Sequence, residues 1–196
     1  MATSLPTAVR GHRAPGSRPA RNLDWSEIDA RVLRVFADRS LLAGVRRLQK
    51  VELASVWELT ARALEKHREA TLPSFEPLDV HRRVLEGLSG ESLLISSSMF
   101  LDSLAEAEAF FELSFKTIKS KLGKSLDTAA GERALRAARV TTAAAEVLGS
   151  FDAARRYMHS RNFALGGATP AALLRTGGGE RLVLNELQAQ AEGGPI

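Results

Sequence analysis

Apolar residues recur every three or four positions from Trp25 to Leu187, punctuated by Gly and Pro, and no strand candidate of comparable strength appears. A chain patterned this way buries its apolar side chains by packing amphipathic helices. Composition agrees, because aromatic residues make up only 6% while Ala, Leu, Arg and Glu are abundant. The predicted fold class is therefore all-α. At 196 residues the chain is long enough for one domain or two small ones.

Several functions are excluded or disfavoured at this level. The chain has no Cys, which removes disulfides, thiol nucleophiles and every Cys-containing zinc or iron–sulfur site. No uncharged apolar run reaches the roughly 18 residues of a membrane span, and residues 1–22 lack the apolar core of a secretory signal, so a soluble, cytoplasmic protein is expected. His12, His67, His81 and His159 are far apart, with no pair at i, i+4, so no metal site is expected. Gly177–Gly179 is not followed by Gly-Lys-Ser/Thr, and no strand precedes it, which argues against phosphate cradling. Nothing resembles a nucleophile elbow. The chain is expected to be no enzyme and to need no cofactor.

Four segments follow from the punctuation. Residues 1–23 are a basic tail: residues 1–22 hold three prolines, four arginines and no acid. A solvated leader, an arm touching nucleic acid and an organellar presequence all fit it. Residues 24–77 form an N-terminal helical extension. It begins with a short helix carrying Trp25, Ile28, Val32, Val35 and Phe36, and continues as an amphipathic run with Leu41, Val45, Leu48, Val56, Leu59 and Ala63 on one side. That stripe packs either within the chain or against a second copy. The prolines of Thr71–Pro77 end the run. Residues 78–149 hold a helix over 78–95 broken near Gly87 and Gly90, a helix within Leu101–Phe111, a break at Glu112–Ser114, a helix over Phe115–Leu122 and an Ala-rich helix over Thr128–Leu148 closed by Gly149. Residues 150–196 alternate short helices with Gly-rich turns.

Charge changes sign inside the third segment. Residues 81–112 carry two basic and six acidic groups, a net −4, whereas residues 113–136 carry six basic and two acidic groups, a net +4. Two helices joined by a three-residue turn, with the basic charge on the second, have the layout of a helix-turn-helix, whose second helix enters the major groove of DNA. Ser114 would cap that helix, while Ile118, Leu122 and Leu113 would face inward. Ser114, Lys116, Thr117, Lys119, Ser120, Lys121 and Lys124 are then the candidate DNA contacts. Phe115 would cover the first helix or meet a thymine methyl. An ordinary helical hairpin with a solvated lysine face fits the same residues. Glu112 stands at or beside the turn position where Gly commonly supplies a left-handed backbone, and its charge would repel a phosphate.

The last 47 residues are the most specific. Asn162, Ala164-Leu165-Gly166-Gly167, Pro170, Leu173-Leu174 and Thr176-Gly177 follow a short amphipathic helix and precede a final one. This arrangement resembles the C-terminal toxin-binding domain of the Xre/MbcA/ParS antitoxins, and Ala138–Val140 with Ala145–Gly149 resembles the helix linking that domain to an Xre-type helix-turn-helix. The resemblance runs from about Arg82 to Gly194 and is dense only after Arg139. It implies an Xre-like helix-turn-helix bundle followed by a small helical toxin-binding domain, and an antitoxin of a type II toxin–antitoxin system that neutralises a cognate toxin and autorepresses its operon. The toxins paired with this family most often carry a RES domain and consume NAD⁺. Implied partners are that toxin and operator DNA, in a homodimer or a toxin–antitoxin hetero-oligomer. Toxin contact is expected at Asn162, Leu165, Gly166, Gly167, Pro170, Leu173, Leu174, Arg175, Thr176, Gly177, Arg181 and Leu187, with inhibition resting on Leu173–Glu192. Read physically, Gly166 and Gly167 turn the chain, Thr169–Pro170 starts a helix, and Thr176–Gly179 ends that helix and frees the last one. Arg175 and Arg181 suit acidic groups on a partner or stand as solvated helix-end charges. The competing class is a stand-alone helix-turn-helix regulator whose C-terminal domain serves dimerisation.

Overall fold

A computed structural model describes residues 25–50 and 77–193. Its described residues contain ten α-helices and no strand. In chain order these are α1 (Trp25–Phe36), a 3-10 turn (Arg39–Leu41), α2 (Leu42–Lys50), α3 (Pro77–Glu86), α4 (Ser92–Phe100), α5 (Leu104–Phe111), α6 (Phe115–Lys121), α7 (Thr128–Leu148), α8 (Phe151–His159), a 3-10 turn (Phe163–Leu165), α9 (Pro170–Leu173) and α10 (Gly177–Ala191). The expected basic tail, and the part of the amphipathic run holding Val56, Leu59 and Ala63, lie outside the described residues.

Two helices organise the rest. α4 is buried at every position from Ser92 to Phe100 and is packed by α1, α2, α7 and α8. Its sequence, SLLISSSMF, tolerates burial because the serines bond their own helix: Ser96, Ser97 and Ser98 donate to the carbonyls of Ser92, Leu93 and Ile95 at 2.6–2.7 Å. α7 matches the expected Thr128–Leu148 and ends on Gly149 in the left-handed region (φ 83°). Alanines over its middle, buried on more than one side, let α3, α4, α8 and α10 approach closely. One buried cluster runs from Ile28 through Val140 to Val183 and Leu187, so the N-terminal and C-terminal helices share a core.

Some boundaries differ from the periodicity. Pro77 is the first residue of α3, a position where its missing N–H costs no intrahelical bond. The break expected near Gly87 and Gly90 is the linker Gly87–Glu91 between α3 and α4, and α4 runs on to Phe100 instead of ending at Ile95. That linker is pinned to the segment after α6: Gly90 N–H donates to Lys124 O at 2.8 Å and Leu126 N–H to Leu88 O at 2.7 Å. Leu101 belongs to the end of α4, and α5 begins after Ser103, whose hydroxyl accepts from Glu106 N–H. Gly177–Gly179 do not separate two helices; they form the first turn of α10 behind the cap Thr176.

Candidate functional site

The α5–turn–α6 unit has the expected connection. Glu112 takes the left-handed backbone (φ 54°, ψ 39°) at the C-cap of α5, where Gly would be unstrained. Its carboxylate is held on both sides, accepting from Arg133 at 2.5 Å and Arg175 at 3.2 Å. Those two guanidinium groups, Arg133 first, keep its carboxyl below the usual carboxylate range. Glu112 therefore joins the turn to α7 and to the segment between α9 and α10. Ser114 caps α6, accepting from Thr117 N–H at 3.2 Å, and Glu108 accepts Phe115 N–H at 2.6 Å.

The basic face of α6 is only partly free. Lys119 donates to Asp38 at 2.8 Å, and Lys121 to Asp127 at 2.6 Å. Hydrogen bonds from Lys119 and then Ser40 hold the Asp38 carboxyl down at about 2, so that latch stays charged at neutral pH. Phe115 stacks on Phe36 at a centroid distance of 6.0 Å, with Lys119 Nζ 5.6 Å from its ring centre. The end of α1 and the turn after it thus cover one side of the candidate recognition helix. Ile118 is buried, with Leu113 and Leu122 half-buried beside the core. Lys116, Ser120 and Lys124 are exposed and Thr117 is half-buried; the Ser120 hydroxyl donates back to Thr117 O.

The C-terminal unit is built by caps. Ser150 starts α8, Thr169 starts α9 with Pro170 at its first position, and Thr176 starts α10 by accepting Gly179 N–H at 3.0 Å. Asn162 ties the loop between α8 and α9 into a closed unit. Its side-chain oxygen accepts Ala164 N–H at 2.9 Å, its N–H donates to Ala168 O at 3.1 Å, and its carbonyl accepts Gly167 N–H at 2.9 Å. The closure needs two successive left-handed residues, Gly166 (φ 68°) and Gly167 (φ 78°). Asn162 Nδ2 also donates to Glu186 on α10 at 2.9 Å, and the same carboxylate accepts from the Tyr157 hydroxyl and from Gln190. Burial, and then the Glu186 carboxylate, push the Tyr157 phenol far up, so it stays protonated and donating.

α7 holds this unit with two arginines. Arg139 donates to Glu180 at 2.6 Å, Arg136 Nε stands 3.5 Å from the same carboxylate, and Arg136 Nη1 donates to Leu174 O at 3.1 Å. Glu180 lies in the first turn of α10, where negative charge also complements the helix dipole.

The residues expected to meet a partner fall into two groups. Pro170, Leu174 and Leu187 are buried, and Leu165, Leu173, Asn162 and Gly167 are half-buried, so they shape the surface more than they present it. Gly166, Arg175, Thr176, Gly177 and Arg181 are exposed. Sequence reasoning missed Phe163, which is 99% exposed at the tip of the loop, and the Tyr157–Glu186–Asn162 network. A large aromatic between a capping Asn and a Gly-Gly pair was the available signal for Phe163. The network had none, since its members come from three elements. Among the described residues no group of three or more His, Asp or Glu side chains could hold a metal ion, and no helix is long and apolar enough to cross a membrane.

Comparison with known proteins bears on the C-terminal unit. Residues 143–193, from the last turns of α7 to the end of α10, match the family model described as the antitoxin Xre/MbcA/ParS C-terminal toxin-binding domain. A search of curated proteins finds no match.

Proposed function

Because residues 143–193 match the family model of the Xre/MbcA/ParS C-terminal toxin-binding domain, we propose that this protein is a non-enzymatic antitoxin that binds and silences a cognate toxin, of the NAD⁺-consuming RES type, through the surface formed by the Asn162–Gly167 loop and α9–α10. The observation that carries this reading is the family match itself, and the local geometry supports it. Caps, two left-handed glycines and the Arg136/Arg139 clamp fix the loop and the first turn of α10 before any partner arrives. A surface ordered in advance loses little conformational entropy on binding.

The test is coexpression with the product of the adjacent reading frame. Rescue of growth and co-purification are expected, and failure of both removes the reading. Deleting the chain after Gly167 is a poor probe of the surface, because it takes the buried Leu174, Val183 and Leu187 out of the core. Arg181→Glu is better, since Arg181 is exposed and has no partner among the described residues. It is expected to weaken toxin binding by roughly threefold to tenfold, mainly through slower association, as rim charges do. Unchanged kinetics would place the interface elsewhere.

In the same reading α5 and α6 contact operator DNA for autorepression, with Ser114, Lys116, Thr117, Lys119, Ser120, Lys121 and Lys124 facing the duplex in a homodimer or toxin–antitoxin assembly. Lys119 and Lys121 then exchange Asp38 and Asp127 for phosphates. Replacing Lys116, Lys119 and Lys121 together by Ala is expected to flatten the salt dependence of binding to upstream DNA, by about 0.9 in log–log slope for each phosphate that is no longer neutralised. Asp38→Asn, which frees Lys119, should tighten binding in the same titration. A slope unmoved by the triple substitution removes α6 from DNA recognition.

A further inference from the structure

Phe163 stands out from every other large apolar residue described, being 99% exposed on a loop whose backbone is locked from both ends. Nothing in the fold needs its ring: Leu165 packs against the core, and Asn162 and the two glycines set the shape of the loop. The ring returns no folding energy where it stands, and an exposed apolar side chain points to a partner when it is part of a larger apolar patch. A second exposed apolar residue lies on α10, the helix that packs against the 3-10 turn carrying Phe163. Leu182 is 56% exposed and lies one helical turn before Glu186 on one stripe of α10, and Glu186 accepts the side chain of Asn162, the residue before Phe163. Exposed arginines border both, Arg161 two residues before Phe163 and Arg181 beside Leu182, and neither has a partner among the described residues. An apolar centre with a charged rim is the anatomy of a protein–protein hot spot.

We propose that Phe163 is the anchor of the toxin-facing surface, entering an apolar pocket on the toxin whose rim is acidic, with Leu182 seated beside it and Arg161 and Arg181 on the rim. The inference rests on the antitoxin reading and adds to it which residue carries the binding energy and what the toxin must offer in return. The Asn162–Gly167 loop has the form of a rigid knuckle, with its caps and glycines serving to hold one phenyl ring in place. Continuity supports this occupant, since Phe163 lies in the middle of the matched domain, residues 143–193.

The experiment measures affinity between the full chain and the purified product of the adjacent reading frame, with melting temperature recorded for every variant. Phe163→Ala is expected to weaken binding by 30-fold or more, the level of a hot-spot aromatic (about 2 kcal/mol converted at 25 °C). Phe163→Leu should retain most of the affinity. Neither should lower the melting temperature, because the ring packs against nothing within the fold. Wild-type-like affinity of Phe163→Ala overturns the proposal while leaving the antitoxin reading intact. A wild-type chain that does not bind at all overturns the antitoxin reading instead. Light scattering adds a third outcome: a self-associated wild type that Phe163→Ala dissociates, with toxin binding unaffected, would assign the ring to a second copy of this chain and overturn the proposal.

Discussion

Replacing Gly179 with alanine is expected to disrupt the α9–α10 unit and abolish partner binding, although the substitution adds one methyl group in a helix. A Cβ at Gly179 would lie 1.9 Å from the carbonyl oxygen of Leu173 and 2.6 Å from its carbon. Both are backbone atoms, so no side-chain rotation relieves the clash. Either α10 moves away from α9 or its first turn unwinds, and each route opens the packing of Leu174, Val183 and Leu187. The expected cost is about 3 kcal/mol or more, at the upper end of overpacking effects. Gly178 provides the control within the same turn. Its Cβ would meet only Thr176 Oγ1, at 4.0 Å, and Gly177 would meet nothing within that range. Gly178→Ala should therefore gain about 0.5–1 kcal/mol by reducing the entropy of the unfolded chain. Urea denaturation of the two variants checks both statements, and equal stabilities would contradict the close approach of α9 to α10.

Arg31→Ala is the second large effect expected. Arg31 is 8% exposed and donates from α1 to Ser98 O at 3.1 Å, to Leu101 O at 2.6 Å and to Asp102 Oδ1 at 3.0 Å. The last carbonyls of any helix have no partner within it, and those of α4 end inside the core where water does not replace one. Arg31 is the cap of that helix, supplied from 67 residues away. Its removal strands two buried acceptors and is expected to cost about 3–5 kcal/mol, since hydrogen bonds to charged donors are worth roughly 1.5–3 kcal/mol each. For a chain of this length that is a fall in melting temperature of roughly 10 °C. Asp102 contributes little of this, being 41% exposed, so Asp102→Asn should cost under about 1 kcal/mol. A thermal melt of the pair distinguishes capping from ion pairing, and equal losses would assign the effect to the salt bridge.

Much of the helical layout was legible in the residues themselves. The Ala-rich run ends on a Gly with positive φ, as a left-handed C-cap requires, and α7 has the boundaries its pattern predicts. The three-residue turn after Phe111, with a non-glycine residue in the left-handed region, was also legible from spacing and turn chemistry. α4 was not. Its nine residues carry no amphipathic period because every face is buried, and four of them are serines, which ordinarily mark surface or turn. The glycine triplet was misplaced for a related reason: Gly next to a helix end is usually outside the helix, whereas here Gly179 is inside because Leu173 O occupies the space of its side chain.

The candidate site divides the same way. Asn162, the Gly166–Gly167 pair, Thr169–Pro170 and Thr176 act through their own backbone neighbours, so their role follows from local chemistry and is written in the order of the residues. Whether a long side chain is free depends instead on what another element brings to it. Lys119 and Lys121 read as an open basic face until the turn after α1 and the N-cap of α7 deliver Asp38 and Asp127, and Glu112 reads as a misplaced charge until Arg133 and Arg175 meet it. Most helix starts, with their side-chain caps, and the turn chemistry of the loop that carries Phe163 were set by interactions spanning a few residues, which a linear chain records directly. Which charges are paired, which glycines are indispensable and which phenyl ring stays in water were decided by contacts between separate elements, and only the packed tertiary structure brings those together.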